Sequence, residues 1–227
     1  MIDILIADDQ EEIRGAFRLI LESQPDLRVV AEAADGGSAV ELARRHRPDV
    51  VLADIRMPVL DGLEVTRALA GPGVPDPLRV VVVTTFDLDE YVDAALRNGA
   101  CGFLLKRSTP ALLVEAVRAA VAGDALISPQ ITVRLLRHLA RPAPRRPEAT
   151  AATPPSLPPA ALTRRETGIV ALIAAGRTNT EIAGELHLSH GTVKNYIAAI
   201  QAKLGTRNRV GIAAWAWDNG HTTAQDA

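Results

Sequence analysis

Three carboxylates and one ammonium group stand at the polar ends of three short apolar runs. Asp8 and Asp9 close Ile4-Leu5-Ile6-Ala7, Asp54 closes Val50-Val51-Leu52-Ala53, and Lys106 closes Gly102-Phe103-Leu104-Leu105. Any one of these acids, taken alone, reads as a cap or a surface residue. At matching ends of parallel strands they make a different object. Crowded carboxylates raise one another's pKa unless a cation lies among them. A purely oxygen donor set suits Mg2+, which keeps several of its waters. Asp9 and Asp54 are the expected direct ligands, Asp8 helps directly or through water, and the Arg56 backbone carbonyl adds a further oxygen. With its charge shielded, Asp54 can attack phosphorus as a nucleophile. The resulting acyl phosphate would carry roughly −1.5 to −2 charge. Lys106 can pair with one phosphoryl oxygen and the Thr84 hydroxyl with another. Phe103 reads either as a plain core aromatic or as a ring that repacks when Thr84 moves.

The elements that must position these groups alternate. Strand patterns at Ile2–Ala7, Leu27–Glu32, Val50–Asp54, Arg79–Thr84 and Gly102–Leu105 are interleaved with helical ones at Glu12–Glu22, Gly36–Arg45, Leu63–Leu69, Leu88–Arg97 and Thr109–Ala122. The four consecutive valines Val80–Val83 fit a sheet covered on both faces. Thr109 before Pro110 is an N-cap followed by proline at the first helical position. Five strand–helix units predict an α/β fold with a parallel sheet between helix layers. In such folds a site forms beyond the C-terminal strand ends, where Asp8, Asp9, Asp54, Thr84 and Lys106 all fall.

A further helix is expected within 126–140. From Arg141 to Pro159 the chain is rich in Pro, Ala and Thr and reads as a linker. Beyond it the pattern is all helical: Arg165–Ala175, Thr180–Leu186, a start at His190 or Gly191 running to Leu204, and Arg207–Trp217. Thr163 with Glu166 fits a capping box. The second and third of these helices, joined by a short turn, have the helix-turn-helix shape. Ser189 can cap the third, whose first turns can enter a major groove. The DNA-contact candidates are Thr192, Val193, Lys194, Asn195, Lys203 and Arg209. Among them Lys194 and Asn195 can reach phosphates or base edges. Val193 also lies on the apolar stripe with Ile197, Ile200 and Leu204, and Thr192, Lys203 and Arg209 can equally serve as internal braces. Trp215 and Trp217 fit a core or a dimer face. The tail after Gly220 should fray.

The chain has 227 residues, formal net charge −2 and a single cysteine, Cys101. Disulfides within the chain and cysteine-rich zinc sites are thereby excluded, and a reducing compartment is expected. Without a signal-type apolar stretch or a run of membrane-spanning length, a cytoplasmic protein is expected, with no membrane partner. Charge is uneven. Residues 1–125 carry 13 Lys/Arg against 21 Asp/Glu, residues 126–159 five against one, and residues 160–227 seven against five. The acidic first part is unsuited to DNA, and the mildly basic last part predicts weak backbone binding by one copy. Dimerisation would double that contact.

Residues 1 to about 122 resemble the receiver domain of bacterial two-component response regulators. The resemblance is carried by Asp8-Asp9, Asp54-Ile55-Arg56-Met57-Pro58, Asp61-Gly62, Thr84 and Gly102-Phe103-Leu104-Leu105-Lys106. It implies a flavodoxin-like five-stranded sheet in the order 2-1-3-4-5. It also implies phosphorylation of Asp54 by a sensor histidine kinase, Mg2+ at Asp8 and Asp9, and a switch pair at Thr84 and Phe103. Val59-Leu60 departs from the more usual Gly-Met before Asp61.

Residues 162 to about 217 resemble the LuxR/NarL class of DNA-binding domain, through Leu162-Thr163-Arg164-Arg165-Glu166, Asn179, Glu181-Ile182-Ala183, Leu188-Ser189, Thr192 to Tyr196, Lys203-Leu204-Gly205 and Asn208-Arg209. Ala198 and Tyr196 depart from the polar or basic residue and the His common in relatives. The implied organisation is a phosphoacceptor domain at 1–122, a helix and linker at 123–159, and a four-helix DNA-binding domain at 160–220. The implied protein is a transcription regulator binding double-stranded DNA as a homodimer strengthened by phosphorylation.

Three rival readings compete, two of them enzymes. A haloacid-dehalogenase-like phosphatase also uses an Asp nucleophile with Mg2+, but needs a second Asp two residues on, where Arg56 stands. A receiver-fold regulator that ignores phosphate is opposed by the intact acid set. A nucleotide-binding enzyme lacks its loop: Gly71-Pro72-Gly73 follows no suitable strand and brings no lysine.

Overall fold

The structure is a computed structural model that describes residues 1–85, 89–127 and 162–221. In the first half, strands β1 (Ile2–Ala7), β2 (Leu27–Ala33), β3 (Val50–Ala53), β4 (Arg79–Thr84), β5 (Gly102–Leu105) and β6 (Leu126–Ile127) alternate with helices α1 (Glu11–Glu22), α2 (Gly36–His46), α3 (Gly62–Ala70), α4 (Asp89–Arg97) and α5 (Pro110–Ala122). All neighbouring strands run parallel, in the order β2-β1-β3-β4-β5-β6.

The period of two along each strand sends alternate side chains to opposite helix layers. Ile4, Ile6, Val50, Leu52, Val81 and Leu104 meet α1 and α5 through Phe17, Leu21, Leu113 and Val117. Leu5, Ala7, Val51 and Val80 meet α2 and α3 through Ala39, Val40, Val65 and Leu69. Val82, Phe103 and Leu105 meet α4 through Val92 and Ala95. A strand buried on both faces must be apolar throughout, which is why these runs carry no alternation of polarity.

The sheet differs from the expected five strands in one respect. Leu126 and Ile127 form a short sixth strand on the free edge of β5, with Gly102 opposite Leu126 and Phe103 opposite Ile127. These two residues are therefore not the start of a helix. Gly123, in the left-handed region at φ 84°, ends α5 and turns the chain back along the edge of the sheet. The rest of the expected helix, 128–140, and the linker lie outside the described residues.

Helices α6 (Arg164–Ala174), α7 (Asn179–Glu185), α8 (His190–Leu204) and α9 (Arg209–Asp218) form the second half. Ile169, Ile173, Ile182, Val193, Ile197, Ile200, Ile212 and Ala216 fill its core. Both halves of the predicted capping box are present: Glu166 N–H donates to Thr163 Oγ1, and Thr163 N–H donates to Glu166 Oε2. Trp215 packs against this core and stacks on His221, whereas Trp217 is exposed. Among the described residues, no helix is long and apolar enough to cross a membrane.

Candidate functional site

The C-terminal ends of β1, β3 and β5 bring the acids and the lysine together. Donor oxygens of Asp8, Asp9 and Asp54 lie within 4.8 Å of one another. Lys106 Nζ lies 2.7 Å from Asp8 Oδ2 and 2.8 Å from Asp54 Oδ2. Asp8 and Asp54 are buried, and Asp9 faces solvent.

Backbone groups aim the carboxylates. Asp54 N–H donates to the Ala7 carbonyl, which locks the end of β3 to β1. The other Asp54 oxygen, Oδ1, accepts from Ile55 N–H at 2.7 Å. Asp8 Oδ1 accepts from Gln10 N–H at 3.0 Å. Arg14 donates to the Asp8 carbonyl.

Burial pushes the Asp8 carboxyl above the usual range and the Asp54 charge adds to this, while Lys106 and the Gln10 amide oppose it. Burial works against the Lys106 ammonium as well, but its hydrogen bonds to Asp54 and Asp8 prevail and raise its pKa. One cation thus bridges two buried anions and offsets their mutual repulsion. The exposed third acid leaves an open side toward solvent.

The loop after β3 is held tightly. Gly62 N–H donates to the Ile55 carbonyl, and a Cβ at Gly62 would lie 2.0 Å from the Asp54 carbonyl oxygen. Asp61 caps α3 in a complete capping box with Glu64. Val59, where the sequence departs from the commoner Gly, sits at φ 71° and is exposed. That is the left-handed region, disfavoured for a β-branched residue. Thr84 is fully buried at the end of β4, and its carbonyl accepts from Lys106 N–H. Phe103 is fully buried among Ile55, Val82, Val92, Ala95, Ala100 and Leu105. The Arg56 side chain is exposed in the same loop.

The helix-turn-helix candidates divide. Ser189 caps α8 by accepting from Thr192 N–H, and the Thr192 hydroxyl lies 2.8 Å from Ser189 Oγ. Asn195 is exposed. Val193 is fully buried in the core, so its side chain is not on a groove-facing surface; the helical period places it beneath Ile197 and Ile200. Lys203 is an internal brace rather than a free cation: its Nζ lies 2.6 Å from Glu166 Oε2. That hydrogen bond, with the Thr163 amide, holds the Glu166 carboxyl down at about 2.

Lys194 and Arg209 face the first half of the chain. Lys194 Nζ donates to the Val121 carbonyl at 2.8 Å. Burial, with the Arg79 charge, lowers the Lys194 pKa. Arg209 Nη1 donates to Asn179 Oδ1 at 2.6 Å and lies 3.4 Å from Asp124 Oδ1. Asn179 in turn donates to Asp124 Oδ1 and to the Ala122 carbonyl. Asp124 was not legible as a contact residue. After Gly123 it reads as the start of a linker, and nothing local distinguishes it.

Residues 4–118 match the response regulator receiver domain family, and residues 160–216 match the bacterial regulatory proteins of the luxR family. The transcriptional regulatory protein LiaR of Bacillus subtilis is 36% identical over 219 residues, covering 96% of this chain and 98% of its own. The crystal structure of the response regulator ChrA of a heme-sensing two-component system has 32% identity and a TM-score of 0.51, covering 97% of this chain and 98% of that one. A LuxR-family response regulator from Aurantimonas has 33% identity and a TM-score of 0.58, covering 62% of this chain and 99% of that one.

Proposed function

We propose, from the premise that this chain belongs to the two-component response regulators that join a receiver domain to a LuxR-family DNA-binding domain and act as transcription regulators, that Asp54 is its phosphoacceptor and switches DNA binding. The observation that carries this reading is the Asp54 carboxylate, buried at a strand end within 2.8 Å of the Lys106 ammonium and beside two more acids.

The donor set fits Mg2+. It is all oxygen, its three carboxylates reach a common point, and exposed Asp9 leaves room for retained waters. Asp9, Asp54 and the Arg56 carbonyl would hold the ion, with Asp8 assisting, and the bound ion would offset charge on the transferring group. One Asp54 oxygen attacks phosphorus as the bond from phosphorus to the donor breaks. On a sensor histidine kinase that donor atom is an imidazole nitrogen, which leaves with the bonding pair. Lys106 moves from the carboxylates to a phosphoryl oxygen, and the Thr84 hydroxyl takes another. The chain acts as a phosphorylated switch in the cytoplasm rather than as a turnover enzyme, since Arg56 stands where a phosphatase needs its second carboxylate.

The receiver spans 1–122 together with the edge strand β6 that follows, and the DNA-binding domain spans 160–220. In the arrangement described, Lys194 and Arg209 contact the receiver, and we assign that arrangement to the unphosphorylated protein. Phosphorylation rearranges the α4 or α5 face, pairs two receivers and frees both cations for a duplex. Driving such a switch from 1:99 to 99:1 takes about 5.5 kcal/mol of differential stabilisation. Charge-assisted bonds to the phosphoryl group contribute part, and dimerisation the rest.

The test is selection of DNA from random duplexes by wild type and Asp54→Asn, each with and without a small phosphodonor. Wild type alone should recover a repeated site, and only with donor. Equal recovery by both proteins would instead favour a regulator indifferent to phosphate.

A further inference from the structure

Asn208 is buried, and its two side-chain atoms face different domains. Its Oδ1 accepts from Gly211 N–H at 2.8 Å, capping α9 of the DNA-binding half. Its Nδ2 donates to two receiver carbonyls, Leu96 at 2.9 Å and Ala100 at 2.8 Å. These carbonyls belong to the last turn of α4 and to the loop that enters β5. A primary amide has two donor hydrogens and an acceptor oxygen, and here all are used. An N-cap needs only the acceptor, so the pair of donors is surplus to the local structure.

The two carbonyls sit on a cluster that leads to the phosphoryl site. Ala100, Ala95 and Val92 pack with Phe103, Leu105 and Ile55 in one buried group, and Leu96 packs against it. Ile55 follows Asp54, and Leu105 pairs with Thr84 and precedes Lys106. Close-packed interiors transmit displacement rather than absorb it. Repacking of Phe103 must therefore shift Leu96 and Ala100, and a hydrogen bond weakens steeply when its angle is lost.

Elsewhere the halves are joined by Lys194 and Asn179, which donate to receiver groups, and by a less complete contact at Arg209. Arg209 is largely buried, and its Nη2 lacks a hydrogen-bond partner among the described residues. Among the described residues, Asp124 is the carboxylate across the contact that pairs with Arg209, and Asn179 draws on it as well. A partly paired buried cation is costly.

We propose that Asn208 is a positioning residue that clasps the DNA-binding half to the α4–β5 edge of the receiver and lets go when that edge moves. This rests on the reading of Asp54 as the switch and names how its state reaches the DNA-binding half. The clasp acts through backbone carbonyls, so only the Asn208 side can be altered by substitution.

Asn208→Asp and Asn208→Ser separate its two roles. Both retain a capping oxygen for α9 and lose the paired donors. Asp also turns a negative oxygen toward the two carbonyls. The full-length proteins would be compared by small-angle scattering and by binding to a mixed-sequence duplex, with and without a small phosphodonor. Tryptophan fluorescence melts would verify the fold, since both tryptophans lie in the DNA-binding half.

Without donor, both variants should be more extended than untreated wild type, though less so than donor-treated wild type. They should also bind the duplex about tenfold more tightly than untreated wild type, the size expected for two lost hydrogen bonds. The added charge of Asn208→Asp opposes duplex binding, so a gain in that variant cannot come from electrostatics. Variants that melt like wild type yet stay as compact as untreated wild type would overturn the clasp, even if wild type itself responds to donor. Variants that open while wild type ignores donor would support the clasp and overturn the Asp54 switch.

Discussion

Lys106 neutralises two buried carboxylates at once, so removing it exposes what the site demands of its cations. Lys106→Ala leaves Asp8 and Asp54 facing each other without a counter-charge. The expected loss is ~3–5 kcal/mol, the range for breaking a buried pair by deleting one partner. Chemical denaturation of wild type and variant would measure it. Asp54→Asn should behave oppositely. It removes one of the crowded charges, so the variant should melt at or above wild type while gaining no phosphoryl mass on donor treatment. Mg2+ should raise the wild-type melting temperature with concentration, because a ligand of the native state stabilises it by mass action. Asp9→Asn should blunt that rise. Failure of Mg2+ to shift the wild-type melt would remove the metal from the proposal.

Elements carry their own consequences. Val59 is held at φ 71° because the loop after β3 must turn sharply before Asp61 caps α3. Val59→Gly should therefore stabilise the receiver by roughly 1 kcal/mol, the cost of a β-branched residue in the left-handed region less the added freedom of glycine in the unfolded chain. A lower melting temperature in that variant would contradict the strain.

In the DNA-binding half, Glu166 links the cap of α6 to Lys203 on α8. Its carboxyl lies at about 2, below its ordinary 4.5. A depressed acid contributes stability that is fully present above the unfolded value and is lost as pH falls through the folded one. Tryptophan-monitored stability should accordingly decline between pH 4.5 and about 2. Glu166→Gln should remove that part of the decline and be less stable at neutral pH. Parallel acid limbs for the two proteins would show that the pair contributes nothing.

For the whole molecule, the decisive property is that Lys194 and Arg209 are spent on the receiver in this arrangement. For them to contact a duplex as proposed, the halves must first part. Lys194→Ala should weaken binding of the donor-treated protein roughly uniformly across sequences and reduce its salt slope by about one, as for a single phosphate contact. A change confined to one base position would instead make Lys194 a base reader. Because Lys194 also ties the halves together, the untreated variant should be less compact than untreated wild type.

Much of this was legible in the residues. Apolar runs ending in Asp8, Asp54 and Lys106 announced parallel strands, and a parallel sheet leaves its strand ends on one edge, so the acids and the lysine had to meet. Thr163 and Glu166 announced a helix start, because capping is a local transaction between a side chain and an amide three residues away. The burial of Val193 was legible from the apolar stripe, but Lys203 was harder. A helix period places a residue on a face but does not say which cation on that face finds a carboxylate on a neighbouring helix. The sixth strand escaped because Leu126 and Ile127 are too few to show a period, and only the free edge of β5 makes them a strand. What the tertiary structure alone decided is the contact between the halves. Its receiver side is largely made of backbone carbonyls, at Leu96, Ala100, Val121 and Ala122, and a carbonyl has no residue type by which a sequence could reveal it.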